Sequence, residues 1–129
     1  MSGYVLDDLA LQTGLTGDER HRRELSRLLH DAIGGGPHLV VPALCLTAAG
    51  ERRPPLVTHL ADIIAVAPPG VLRVAGLART DRLDELRDVH PGLPWPAVHA
   101  VVCAQTVGVP VLTADPGRYG QVAVDALAL

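Results

Sequence analysis

Three aspartates are the residues of this chain best suited to chemistry, and two of them are adjacent. Asp7 and Asp8 follow the short apolar segment Tyr4-Val5-Leu6, and Asp115 follows the apolar segment 109–112. Carboxylates that meet at one place can bind a hard divalent ion and, through it, activate a water molecule. The same residues also cap helices and form turns, so Asp7 and Asp8 could equally be a capping pair and Asp115 a turn acid.

The composition limits the kind of protein that could carry these acids. The chain has 129 residues, of which 48% are apolar, and we predict one globular domain over residues 1–129. Its net charge of −3 provides no overall attraction to nucleic acid, so RNA binding would need a local basic patch. No apolar run is long enough to span a membrane and the N-terminus lacks the signal-peptide pattern, so we expect a cytoplasmic protein.

Apolar strands alternate with helices along the chain. The central strands are continuously apolar, which is typical of a parallel sheet covered on both faces. We therefore predict the α/β class, as a three-layer α/β/α sandwich with a mainly parallel central sheet. Functional side chains gather beyond the carboxyl ends of such strands, where the aspartates would meet. The expected strands are 4–6, 39–41, 71–74, 109–112 and 121–124. The expected helices are about 16–33, 42–49, 56–64 and 96–107, with one or two further helices over about 75–89.

Several segments resemble the PIN-domain family of small ribonucleases, in order and across nearly the whole chain. Val5-Leu6-Asp7 is similar to the family's first strand and first metal-binding aspartate, and 39–44 to its second strand and following helix. Residues 97–119, with Thr113-Ala114-Asp115, are similar to the late helix, glycine, strand and Thr-x-Asp stretch of toxin-type members. The resemblance implies a Rossmann-like fold and RNA cleavage that depends on Mg²⁺ or Mn²⁺. Many members are toxins held in check by a small DNA-binding antitoxin.

The acidic site that this resemblance implies is incomplete. Asp7 and Asp115 match two of the family's acids, but its glutamate falls at Ala48 and its later aspartate near Ala97. Asp8 could add a third carboxylate if its side chain turns inward. Each missing carboxylate removes both a ligand and a negative charge, so divalent-ion affinity should fall severely. We expect Asp7 and Asp115 to be residual catalytic and metal-binding acids.

Three hypotheses about function follow from the sequence and the resemblance. In the first, the chain is a catalytically degraded PIN-like protein of toxin–antitoxin type, a weak or inactive nuclease that binds no cofactor. It acts as a homodimer that binds a protein partner, such as an antitoxin-like or DNA-binding regulator. In the second, it is an active endoribonuclease toxin that uses Mg²⁺ or Mn²⁺ and acts on RNA. In the third, it is an unrelated α/β protein whose acids are turn residues.

Other side chains near the expected site are candidates for binding or packing. Thr113, Arg118 and Trp95 are the candidates for contact with nucleic acid or a partner, although core packing is the competing interpretation for Trp95. His99 is interpreted as a packed or surface histidine. Both cysteines, at positions 45 and 103, lie in apolar segments and are predicted to be buried free thiols.

Overall fold

A five-stranded sheet forms the centre of the computed structural model, which describes residues 3–129. Met1 and Ser2 lie outside the described residues. They belong to the predicted domain and to the N-terminal segment that lacks the signal-peptide pattern. The strands are β1 (Gly3–Leu6), β2 (His38–Pro42), β3 (Leu72–Ala75), β4 (Val111–Thr113) and β5 (Ala126–Ala128). All strand pairs are parallel, in the order β3-β2-β1-β4-β5.

Six helices flank the sheet. They are α1 (Asp8–Thr16), α2 (Glu19–Ile33), α3 (Ala43–Arg52), α4 (Pro55–Val66), α5 (Thr80–Val89) and α6 (Trp95–Val107), and a short 3-10 turn follows β4 at Pro116–Tyr119. This architecture confirms the predicted α/β class and the three-layer α/β/α sandwich. The strand order reverses direction at β1, so the carboxyl ends of β1 and β4 lie at the switch point where such sheets place their sites.

The core lies between the central strands and α6. Val5, Leu39 and Val111, one from each of the three central strands, are completely buried. Every residue of α6 from Ala97 to Ala104 is also buried, as expected for a helix that is apolar on all sides. The continuous apolar runs that predicted a parallel sheet are thus explained by burial on both faces.

The N-terminal half contains one helix more than the sequence predicted. Residues 8–16 form α1 directly after β1, whereas the first helix was expected to begin near Thr16. The expected helix itself is present as α2, and its N-cap is Asp18, which accepts a hydrogen bond from the His21 backbone N–H at 2.9 Å. No helix was predicted directly after Asp7, although the capping alternative for Asp7 and Asp8 is what a helix at this place requires.

The last strand lies further along the chain than predicted. Residues 121–124 do not form a strand, because the Val122 N–H bonds to the Tyr119 carbonyl and the Val124 N–H bonds to the Val122 carbonyl. Strand β5 instead pairs Ala126 with Val111 of β4. Among the described helices, none combines the length and apolar composition needed to cross a membrane.

Candidate functional site

Asp7 lies at the carboxyl end of β1 and is completely buried. It is the N-cap of α1, since its Oδ1 accepts a hydrogen bond from the Ala10 backbone N–H at 2.8 Å. Its other oxygen, Oδ2, accepts a hydrogen bond from the Tyr119 hydroxyl at 2.7 Å. The capping interpretation of Asp7 is therefore correct, and it leaves one oxygen directed at the segment that follows β4.

Arg118, in the segment after β4, pairs with both Asp7 and Asp8. Its Nη1 donates to Asp8 Oδ1 at 2.6 Å and to Asp7 Oδ2 at 3.2 Å, and its Nη2 donates to Asp8 Oδ2 at 3.3 Å. The Arg118 side chain is only 13% exposed, and those of Asp7 and Asp8 are 0% and 9% exposed. The side chain of Asp8 does turn inward, and its carboxylate forms a bidentate pair with arginine.

The acidic group consists of Asp7, Asp8 and Arg118. Its electrostatics follow from burial and from its own charges. Burial raises the pKa of Asp7 despite the hydrogen bonds from Thr113, Ala10 and Tyr119, and the charge of Asp8 raises it further. Burial and the neighbouring Asp7 charge also raise the pKa of Tyr119, so its hydroxyl remains a donor. Burial alone would lower the pKa of Arg118, but its bonds to Asp8 outweigh this and keep the guanidinium charged.

Asp115 is placed differently from the other two acids. It lies on the surface after β4, and its backbone N–H donates to the Thr113 hydroxyl oxygen at 3.1 Å. Within residues 3–129, its carboxylate forms no salt bridge. Thr113 is completely buried and also lies close enough to Asp7 to lower the pKa of that carboxyl. Thr113 is therefore the residue that joins the end of β4 to both Asp7 and Asp115.

Small and weakly polar groups occupy the two places where the family resemblance implies a further glutamate and a further aspartate. Ala97 at the start of α6 is completely buried, and Ala48 of α3 is half-buried. Between these helices the Cys45 thiol donates to the Pro96 carbonyl at 3.1 Å. Burial, followed by the charges of Asp8 and Asp7, raises the pKa of Cys45 well above its usual value, so the thiol stays protonated.

This donor set does not fit a hard divalent ion. Among residues 3–129, no group of three or more His, Cys, Asp or Glu side chains could hold a metal ion. Mg²⁺ and Mn²⁺ bind through carboxylate oxygens and water, yet the oxygens of Asp8 already face a guanidinium. An ion placed there would have to displace Arg118 or lie beside its positive charge.

Two solved structures are similar to this chain in fold. A chain in a toxin–antitoxin complex from Klebsiella pneumoniae matches with a TM-score of 0.68 and 11% identity, covering 97% of this chain and 96% of that one. The protein PAE2754 from Pyrobaculum aerophilum matches with a TM-score of 0.63 and 16% identity, covering 98% and 90%. This chain shares their fold. No family model matches the sequence, and no curated protein does either, so the likeness is one of structure alone.

Trp95 lies on the surface, and a cleft opens beside Arg118. The Trp95 side chain is 43% exposed and the Arg87 guanidinium lies 4.7 Å from its ring centroid, so the interpretation of Trp95 as a core plug is wrong. A cleft of about 550 Å³ opens where Arg118 meets the loop before α6. Its lining includes His90, Gly92, Leu93, Gly117, Gly120 and Gln121.

His99 is a structural residue near this edge of the sheet. It is 1% exposed, its Nδ1 accepts from the Leu44 backbone N–H at 3.3 Å, and its Nε2 lies 3.2 Å from the Gly76 carbonyl oxygen. These partners fit a neutral ring with the proton on Nε2, and burial lowers the pKa of His99. The histidine ties α6 to the start of α3 and to the loop after β3, which agrees with its prediction as a packed residue.

The sequence indicated the correct edge of the sheet but missed two of its members. Tyr119 and Cys45 contact the acidic group and were not candidates, while Arg118 was proposed only as an external contact. A usable signal was present, because an arginine and a tyrosine closely follow the strand next to β1. In a parallel sheet, these residues must lie at the same edge as Asp7 and Asp8.

Proposed function

We propose that this chain is a PIN-like protein of the toxin–antitoxin ribonuclease type in which the acidic site no longer supports RNA cleavage. In this proposal it works in the cytoplasm, as a homodimer, by binding a protein partner such as an antitoxin-like or DNA-binding regulator. The shared fold with a protein from a toxin–antitoxin complex supports the type of protein. The donor set at the carboxyl edge supports the loss of cleavage.

The observation that carries the proposal is the pairing of Arg118 with both acids. Metal-dependent hydrolysis needs negative oxygens that are free to bind the ion and a position for the attacking water. Here Asp7 and Asp8 share one guanidinium at 2.6–3.3 Å. The two buried acids are thus paired with a positive charge from within the chain.

The surface supports a role in protein binding. An apolar groove of about 430 Å³ lies between α1, α2 and α4. Ile33 and Val66 at its edge are 40% and 78% exposed, which is a large apolar exposure for side chains of this kind. Leu15, Leu29 and Ile63 also line the groove, together with Arg22, Ser26, His30 and His59. No acidic side chain is among these lining residues.

The direct test measures RNA cleavage. Purified wild-type protein should degrade neither structured nor single-stranded RNA when Mg²⁺ or Mn²⁺ is supplied, and it should give the same result as Asp7→Asn. Asn at this position keeps the oxygen that caps α1 while it removes the charge and replaces Oδ2 with an amide nitrogen, so it is a control without the metal-binding carboxylate. Cleavage by the wild type that chelators and Asp7→Asn abolish would instead establish the active endoribonuclease.

Partner binding needs its own experiment. Tagged wild-type protein expressed in its own host should co-purify a defined protein partner, and the groove variant Ile33→Asp should reduce its recovery. Val89→Asp is a matched control, because Val89 is 71% exposed and does not line this groove. Repeated recovery of no partner, from cells and with recombinant candidates, would refute the binding role.

A further inference from the structure

The four carboxylate oxygens of Asp7 and Asp8 all have hydrogen-bond donors within the chain. The Ala10 N–H binds Asp7 Oδ1, and the Tyr119 hydroxyl and Arg118 bind Asp7 Oδ2. Arg118 alone binds both oxygens of Asp8. Every oxygen of this acidic pair therefore already accepts at least one hydrogen bond from within the chain.

The burial of the group makes its countercharge necessary. An ion pair that is removed from water is costly to break, because the partner left behind is an uncompensated charge at low dielectric. The Asp7 and Asp8 side chains are at most 9% exposed. A positive charge close to them stabilises the ionised pair in the folded state, and the structure supplies one, Arg118, from the turn after β4.

We infer that Arg118 has taken the place of a divalent cation at this edge of the sheet, so that pairing with Arg118 and binding of a metal ion exclude each other. This inference rests on the proposed function, since it explains how the acids persist without metal chemistry. It assigns Arg118 a positioning and charge-compensating role in place of the external contact proposed from the sequence.

Removal of the Arg118 guanidinium should therefore leave the Asp7 and Asp8 carboxylates without a countercharge, which a metal ion could then supply. In Arg118→Gln the two carboxylates keep their positions at the end of β1 but lose their only countercharge among the described residues. This variant should be less stable than the wild type, and Mn²⁺ should recover part of the loss. In Arg118→Lys one positive charge remains, so this variant should be nearer to the wild type and should not respond to Mn²⁺.

The experiment is urea denaturation of full-length wild type, Arg118→Gln and Arg118→Lys, with and without MnCl₂ at constant ionic strength. For Arg118→Gln, Mn²⁺ at ten times its dissociation constant should raise the folding equilibrium constant about tenfold. The wild-type midpoint should not move. Arg118→Gln combined with Asp8→Asn should lose the response to Mn²⁺, which separates binding at this pair from binding elsewhere.

Two kinds of outcome would overturn the inference. One is an equal Mn²⁺-dependent stabilisation of the wild type and of Arg118→Gln. The other is an Arg118→Gln protein that gains nothing from Mn²⁺, including one that stays unfolded in Mn²⁺ while Arg118→Lys folds. These results are distinct from failure of the proposed function, because a missing protein partner would refute that function without affecting the stability data.

Discussion

The hydrogen bond from Tyr119 to Asp7 allows a sharp test of how the acidic group is held. The Tyr119 side chain is 2% exposed and its hydroxyl donates to Asp7 Oδ2 at 2.7 Å. Tyr119→Phe keeps the ring and nearly the whole volume, so it removes the donor without opening a cavity. The change in the free energy of unfolding then measures how much the Tyr119 hydrogen bond stabilises the buried Asp7 carboxylate.

The expected loss follows from the contacts that remain. A hydrogen bond to a charged group contributes about 1.5–3 kcal/mol to stability. Arg118 Nη1 still lies 3.2 Å from the same oxygen, so Asp7 Oδ2 is not left without a partner. We therefore expect Tyr119→Phe to lower the free energy of unfolding by about 2 kcal/mol at neutral pH.

The pH dependence provides a second measure of the same interaction. Because burial raises the folded-state pKa of Asp7 above its ordinary value of 3.8, the folded state binds more protons than the unfolded state just above that pH. The contribution of Asp7 to stability therefore falls as pH rises from 3.8 through its folded-state pKa. Tyr119 lowers the pKa of Asp7, so Tyr119→Phe should extend this decline to higher pH.

The assay is urea denaturation from pH 4 to pH 8, followed by circular dichroism and by fluorescence of the single tryptophan. Tyr4→Phe is the matched control, because Tyr4 is the only other tyrosine and lies partly exposed on β1. It should change stability by less than about 0.5 kcal/mol. Equal effects of the two substitutions, with the same pH profile, would refute the role assigned to Tyr119.

Three further predictions concern the surrounding structure. Gly14→Ala should cost about 1–3 kcal/mol in urea denaturation, because its Cβ would lie 2.5 Å from the Cδ2 of buried Leu25. Gly50→Ala, which meets only the tip of an exposed valine, should cost clearly less. Burial lowers the pKa of His99 below 6.5, so the contribution of His99 to stability should fall as pH drops below 6.5, and His99→Gln should remove that contribution in the same assay. Burial raises the pKa of Cys103 to about 11, so this thiol should react slowly with a disulfide reagent at pH 8 until urea is added, and rapid native reaction would contradict the structure.

The order of elements could be predicted from the sequence because burial of a parallel sheet leaves continuous apolar runs. Leu39, Val40 and Val41 form such a run, and all three are at most 5% exposed in β2. Helix α1 was missed for a local reason: Asp7 both ends β1 and caps the helix, so no loop residues separate the two elements. Strand β5 was misplaced because Val122 and Val124 also pack against the core, although from a turn.

The candidate site was harder to predict from the sequence, because its decisive contact joins Arg118 to Asp8, which are distant along the chain. Arg118 and Asp8 are separated by 110 positions, and no periodicity relates them. What could be predicted was the location of Asp7 and Asp8 at the edge of the sheet. The countercharge could have been inferred by one further step, since two adjacent acids after a buried strand require a cation and Arg118 follows the neighbouring strand.

Asp7 shows why an acid at this position is weak evidence for catalysis by itself. Its Oδ1 satisfies a backbone N–H at the start of α1, while its Oδ2 receives Tyr119 and Arg118 from the segment after β4. Both tasks are structural, and both join β1 to its neighbours in a way that would persist without a metal ion. A carboxylate at this position can therefore serve the fold without serving catalysis. Asp7→Asn keeps the oxygen that caps α1 and loses only the acceptor for Tyr119 and Arg118, whereas Asp7→Ala loses both, so a larger loss of stability in Asp7→Ala is what this structural role requires.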